Sequence, residues 1–213
     1  KLRDFEVLFV DDGSTDCSHE IAKRFEKRLP LRIYKNDINL GLTESCNKGI
    51  QLAKGDWIVR LDADDAFSPE MLGTLLIYID LKETDFIYSN RKDIFWDKGE
   101  EVNVDLQDFN VFRLIASGIA MRRSLLFDIG GYRKFFWEEY DLYIRYLGKS
   151  QKLPFHIKKT LYYYSVYKGS MTSDPRKIEQ GWDELVNEWG INNLKTYGSD
   201  ERLNEKFANN HNC

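Results

Sequence analysis

Three apolar runs, Phe5 to Val10, Leu31 to Tyr34 and Trp57 to Leu61, are separated by two segments with helical spacing, and this alternation constrains the fold more than any other feature. Strands alternating with helices predict a parallel sheet joined by crossover connections. In the first crossover Ile21, Ala22, Phe25 and Leu29 share one helical face and Pro30 ends the helix. The second runs from Thr43 to Ala53 and closes at Gly55. Ser68 and Pro69 then read as the cap and first position of a helix through Met71 to Ile79. Asp85 to Trp96 reads as a strand with a hairpin partner around Asn90, and Glu101 to Asp105 as one strand more, so the second half is more antiparallel than the first. Ser124 to Tyr146 is helical apart from Gly130-Gly131, Leu161 to Val166 is an aromatic strand, and Trp182 to Trp189 is a last helix before a polar tail beyond Gly190. The predicted class is α/β, a mixed, mainly parallel sheet flanked by helices.

At 213 residues the chain favours one domain with a substantial core. Its 31 basic and 35 acidic side chains give a net charge of −4, which argues against a surface built to neutralise nucleic-acid phosphates. Cys17, Cys46 and Cys213 are too scattered for a disulfide framework or a Cys-x-x-Cys zinc site and read as free thiols of a reducing compartment. No apolar run approaches the ~20 residues that span a bilayer.

Chemistry has to be sought where acids cluster: Asp11-Asp12, Asp62-Ala63-Asp64-Asp65, and Glu138-Glu139 with Asp141. The first two clusters end apolar strands expected to share one sheet, and parallel sheets bind ligands outside the carboxyl ends of their strands. Carboxylates meeting there repel by ~4 kcal/mol per close pair at an effective dielectric of 20, so a cation must compensate. An oxygen-only donor set selects Mg or Mn over zinc, and such ions complete their shell with substrate phosphates, which points to a nucleotide diphosphate. Two other readings fit parts of this pattern. Asp12-Gly13-Ser14 is also an ordinary turn and helix cap, and an acidic pair with a later Asp around Mg is also the layout of a phosphoacceptor signalling module.

The residues resemble the family 2 glycosyltransferases, nucleotide-sugar-dependent enzymes with the GT-A fold. VDDGSTD at Val10 to Asp16, NLGLTESCNKGIQLAKGDWIVRLDADD at Asn39 to Asp65 and WEEYDLYIR at Trp137 to Arg145 match that family's motifs in order and spacing, over a span from Asp4 to Thr172. The resemblance implies a Rossmann-like nucleotide-binding half and an acceptor-binding half within residues 1–175, followed by a C-terminal helix and tail over 176–213. It implies a donor, taken as a UDP-sugar, lying on Asp11, Asp12, Gly41, Asn47, Asp62, Ala63 and Asp64, with Asp62 and Asp64 at the Mn or Mg. It places the acceptor base in Glu138-Glu139 and implies a glycan or lipid-linked acceptor, cytoplasmic placement with peripheral association at the inner membrane face, and a setting in cell-surface polysaccharide assembly. A single in-line displacement inverts the anomeric centre.

Several positions depart from the family pattern. Its usual acidic pair is Glu-Asp, and Glu139 carries one more methylene, a displacement of about an ångström that can cost on the order of 10²-fold. The Tyr-Arg-x-His-x-x-Ser pattern is replaced by Tyr164 to Ser170 without a histidine, leaving Lys168 or Arg176 to supply the charge, and a catalytically inactive relative becomes an alternative. The family's first strand and helix have no counterpart before Lys1, so a longer natural protein, or a partner segment filling the gap, is expected. Glu138 and Asp141 share a helical face with Glu139 offset, and Asp141 is placed to pair with Arg145. Trp137 is the candidate acceptor platform, whereas Phe135, Tyr143 and Tyr146 read as core. His19, His156 and His211 read as surface or capping residues.

Overall fold

The computed structural model describes residues 5–81 and 83–204. Strand β1 (Val7–Asp11) leads through α1 (Ser18–Lys23) to β2 (Leu31–Lys35), and the two strands pair in parallel. Helix α2 (Leu42–Leu52) follows and delivers the chain to β3 (Trp57–Val59). Next come β4 (Ala66–Phe67), α3 (Met71–Leu81), β5 (Phe86–Phe95), β6 (Glu100–Val104), β7 (Ala120–Arg122), α4 (Arg123–Asp128), α5 (Glu138–Lys149), β8 (Phe155–Val166), α6 (Pro175–Trp189) and α7 (Ile191–Leu194).

The main sheet has the order β3-β7-β5-β8-β4, with β6 hairpinned onto β5. It is mixed: the longest ladder, β5 with β8, is parallel, and the pairs β3–β7, β4–β8, β5–β6 and β5–β7 are antiparallel. One expectation fails here. β1 and β3 do not share a hydrogen-bonded sheet, because among the described residues β1 pairs only with β2 and β3 only with β7. Asn90 does not divide two strands either. It sits inside the continuous β5, where the register against β8 jumps between Ser89 and Arg91, so the polar residue marks a bulge rather than a turn.

The strand period of two sorts β5 between two cores. Phe86 and Tyr88 pack with Met121, Tyr143, Tyr146 and Trp182, whereas Ile87 packs with Met71, Leu75, Ala120, Ile157 and Leu161. Helix α5 therefore covers one face and α3 the other. Tyr143 and Tyr146 are fully buried, as their spacing suggests, and α6 adds Trp182 and Leu185 to the same core. The chain beyond Gly190 is not simply a polar tail, since Leu194 and Leu203 are both wholly buried. Cys213 and His211 lie outside the described residues.

Two helix readings need correction. The apolar face of the first crossover is not buried: α1 is six residues long, and Ile21, Phe25 and Leu29 are 44%, 42% and 41% exposed. Ser68 does not cap α3 with its side chain. Its carbonyl accepts from the Met71 N–H at 3.0 Å, while its buried hydroxyl has no partner.

Gly118 shows how tightly the second half is drawn together. Its N–H donates to the Arg60 carbonyl at 3.0 Å, its φ is +77°, and an added Cβ would lie 2.5 Å from Tyr162 Cδ2. Left-handed backbone and overpacking both oppose a larger residue, so Gly118→Ala is expected to lose ~2–4 kcal/mol in urea unfolding. A relaxed turn would instead gain a few tenths from the stiffer unfolded chain.

Candidate active site

Asp11 and Asp12 end β1 and face different partners. Asp11 is 1% exposed: Oδ1 accepts from the Ser14 N–H at 2.8 Å, and Oδ2 lies 3.2 Å from His19 Nδ1 and 3.7 Å from Lys35 Nζ. His19 therefore has a specific carboxylate neighbour that sequence reading missed. Asp12 accepts from the Leu40 N–H at 2.9 Å, the Gly41 N–H at 2.8 Å and Asn36 Nδ2 at 2.8 Å. Burial opposes ionisation of both acids, but these donors and, at Asp11, the nearby Lys35 hold both below the usual carboxylate range. Gly41 can turn its N–H inward because its φ is +91°. Asp12 thus fixes the loop that opens α2.

The second acidic turn follows β3. Arg60, with a side chain only 12% exposed, lays its fork on Asp62, with Nε to Oδ1 at 2.6 Å and Nη2 to Oδ2 at 3.0 Å. Its remaining arm, Nη1, reaches Glu138 Oε1 at 3.2 Å. Ala63 and Asp64 are exposed at the tip of the turn, and Asp64 Oδ2 accepts from the Tyr167 hydroxyl at 3.0 Å. Tyr167 stands where the family pattern has histidine. The end of β8 also seats Asp65, through the Tyr162 hydroxyl at 2.6 Å and the Ser165 N–H at 2.8 Å. Burial nevertheless pushes the Asp65 carboxyl up to about 6, with Asp64 and Asp62 adding to it. Arg176 is solvated beside its capping residue Asp174, its side chain 91% exposed, away from this turn's contacts.

The third cluster opens α5. Glu138 is 3% exposed and Glu139 is 9% exposed. Burial raises both; at Glu138 the Arg60 guanidinium pulls the other way, while at Glu139 burial and the Glu138 charge together push the carboxyl up to about 8. Asp141 is spoken for structurally: it accepts from Arg133, from Arg145 Nε at 2.9 Å and from Trp189 Nε1 at 3.2 Å. Trp137 lies in the core, 8% exposed, stacked on Tyr140 at 5.3 Å and edge-on to Phe136 at 4.8 Å, so its ring offers no open platform in this arrangement. Its buried Nε1–H has no partner.

Asn47, expected beside the donor, clasps backbone instead. Its Nδ2 donates to the Tyr132 carbonyl at 2.9 Å and its Oδ1 accepts the Tyr132 N–H at 2.7 Å. The preceding turn is held by Arg145, which donates to the Ile129 and Gly131 carbonyls. Sequence reading missed Arg60 and Cys46. The available signal was an arginine inside an apolar strand run, since a buried guanidinium must find carboxylates. Burial pushes the Cys46 thiol up to about 11 against the pull of the Arg60 guanidinium, with Asp62, Glu138 and Asp12 adding to the rise. The contacts bring together Asp62 and Glu138, which share the Arg60 guanidinium.

Among the described residues no three His, Cys, Asp or Glu side chains converge as an all-protein metal cage would. Mg and Mn usually take one or two carboxylates with phosphates and water, and the exposed Asp64 fits that donor set, whereas both oxygens of the neighbouring Asp62 are engaged by Arg60.

The mixed α/β fold sets acidic residues at the ends of β1 and β3 and at the start of α5, the last two joined through Arg60. The sequence model described as Glycosyl transferase family 2 matches residues 1–144, and the chain belongs to that family. The signalling-module alternative is thereby removed. An uncharacterized glycosyltransferase of Haemophilus influenzae is 27% identical over 197 residues, covering 85% of this chain and 66% of its own. A cholesterol galactosyltransferase of Borreliella burgdorferi is 35% identical over 74 residues, 35% of this chain and 21% of its own. The chain spans 66% or less of these curated relatives. The fold matches S. aureus TarS 1-349 in complex with UDP-GlcNAc, with TM-score 0.72, 20% identity and coverage of 91% of this chain and 62% of that one. It also matches the mannosyltransferase PcManGT from Pyrobaculum calidifontis in complex with GDP-Man and Mn2+, with TM-score 0.63, 15% identity and coverage of 86% and 54%. Among the described residues no helix is long and apolar enough to cross a membrane.

Proposed function

We propose that the chain carries the donor and acceptor sites of an inverting glycosyltransferase that moves a sugar from a nucleotide diphosphate, uridine-linked, to a hydroxyl of a glycan or lipid-linked acceptor at the inner membrane face. The observation that carries this reading is the Arg60 guanidinium, which binds Asp62 in the turn after β3 and Glu138 at the start of α5. It brings that turn of the donor half against the acid pair of the acceptor half. The ligands of the two structural neighbours, UDP-GlcNAc in one and GDP-Man with Mn2+ in the other, support the donor class.

Each residue has a task in this reading. Asp12 fixes the Leu40–Gly41 backbone and so shapes the wall against which the nucleoside lies. Asp64, with Asp62 beside it, would hold Mn or Mg. When bound, that cation supplies a Lewis acid for the charge that grows on the leaving diphosphate. Glu139 takes the proton of the attacking hydroxyl, because Glu138 is engaged by Arg60 and Asp141 by Arg133 and Arg145.

Thermal shift with UDP, GDP and their sugars, each with and without Mn, tests the reading. A ligand at 100 times its Kd adds ~2.7 kcal/mol, or ~5–10 °C for a chain of this length. Asp64→Asn is expected to abolish the Mn-dependent part of the shift. No shift with any nucleotide ends the proposal, and release of free sugar separates an enzyme from an inactive binding relative.

A further inference from the structure

Arg60 joins the turn after β3 to the start of α5. Its fork occupies both oxygens of Asp62, in the turn after β3, and its free arm meets Glu138 in the first turn of α5, 78 positions on. The guanidinium carbon lies 5.6 Å from the centre of the Tyr132 ring, and Tyr132 is itself pinned by Asn47. The Arg60 carbonyl, accepting from Gly118, fixes the backbone from which the side chain extends. A half-buried charge spread over two carboxylates is directional, because the planar fork sets the distance and angle between them. Lysine, a single point donor, cannot reproduce that geometry.

We propose that Arg60 is a positioning residue that couples the donor side of the cleft to its acceptor side: by sharing one guanidinium between Asp62 and Glu138, it makes the seating of the nucleotide depend on the acid pair and leaves Glu139 as the free carboxyl. The inference rests on the functional reading above and deepens it. Asp62 and Glu138 compete for the same cation. Removing the Glu138 charge lets Arg60 settle wholly on Asp62, which then offers less negative charge to a cation-bound diphosphate. Glu138 thereby acts on nucleotide affinity without touching the nucleotide.

A four-variant cycle tests this with UDP and Mn as the probe: wild type, Glu138→Gln, Arg60→Lys and the double variant. Both substitutions keep approximate shape, and Arg60→Lys keeps the charge that Asp62 and Glu138 need to fold. In the wild-type background Glu138→Gln is expected to weaken UDP binding about 3- to 10-fold, and in the Arg60→Lys background less than 2-fold. A merely structural arginine would leave the effect of Glu138→Gln equal in both backgrounds, and that equality overturns the proposal. A parallel Tm cycle of Asp62→Asn with Glu138→Gln reads the bridge without ligand: the two losses should fail to add when Arg60 is present and add when lysine replaces it. Additive losses with Arg60 present overturn the bridge itself. Failure of the wild type to bind UDP with Mn, while the Tm losses remain coupled, overturns the nucleotide reading and reduces Arg60 to a structural clasp.

Discussion

Glu139→Gln is expected to lower sugar transfer by ~10²- to 10⁴-fold, the usual contribution of a positioned base, while the nucleotide-induced thermal shift persists. The same substitution should stabilise the protein in alkaline solution. Glu139 lies 9% exposed, and its charge is felt by Glu138, Arg60, Asp62, Tyr140, Tyr143 and Tyr164. Burial first, and the Glu138 charge second, push its carboxyl up to about 8 from 4.5. A group raised in the folded state contributes stability that is fully present below its unfolded value and lost as pH climbs through the folded one. Wild-type stability should therefore decline between about pH 4.5 and 8 through this residue, and glutamine, which cannot ionise, should escape that loss. Two measurements check the argument: unfolding of both proteins by urea at pH 5 and pH 9, and the wild-type transfer rate against pH, which should climb toward about 8 and then level. A rate already at its plateau at pH 6, or a variant as pH-sensitive as the wild type, would place the base elsewhere.

Asp141→Ala carries the largest stability effect. Asp141 is wholly buried, and its oxygens accept from Arg133, Arg145 and Trp189. Removing it leaves Arg145 with only the Ile129 and Gly131 carbonyls and Arg133 with Glu188, and breaking a buried pair from one side costs ~3–5 kcal/mol, a large share of the ~5–15 kcal/mol of a typical domain. Asp141→Asn retains the shape and should lose less. The acid side follows with the opposite sign to Glu139: burial works against the charge, but the two arginines hold the carboxyl below its ordinary 3.8, so its stabilisation is present above that value and lost as pH falls through the depressed native one. Urea unfolding of the three proteins at pH 7 and pH 3 tests both halves, and a loss below 1 kcal/mol for alanine would show that the arginines find other partners.

These two residues also mark how far the sequence could be read. Spacing of four pairs Asp141 with Arg145 on one helix face, a local rule that needs no tertiary information, and the structure has that pair. Acids ending apolar runs located the turns after β1 and β3 for the same reason. Longer-range facts escaped. Nothing in the pattern of the second helix says that Asn47 will clasp a backbone 85 positions later. The strand and helix alternation gives the order of elements but not which strands bond, so the separation of β1 from β3 was illegible. The exposed Ile21, Phe25 and Leu29 make the same point, since periodicity tells which residues share a face and not whether anything covers it. Arg60 was within reach: burial of a charge inside a strand run obliges a partner, and Asp62 stands two residues away.

The Asn47 clasp has a mechanical consequence. From Asp12 the polar contacts run through the Gly41 amide into α2, out through Asn47 to Tyr132, across that ring to Arg60, and on to the acidic turns on either side. Such a run of contacts behaves as a strap rather than a hinge: it ties the end of β1 to the start of α5 in series, so loosening any one link slackens the tie between them.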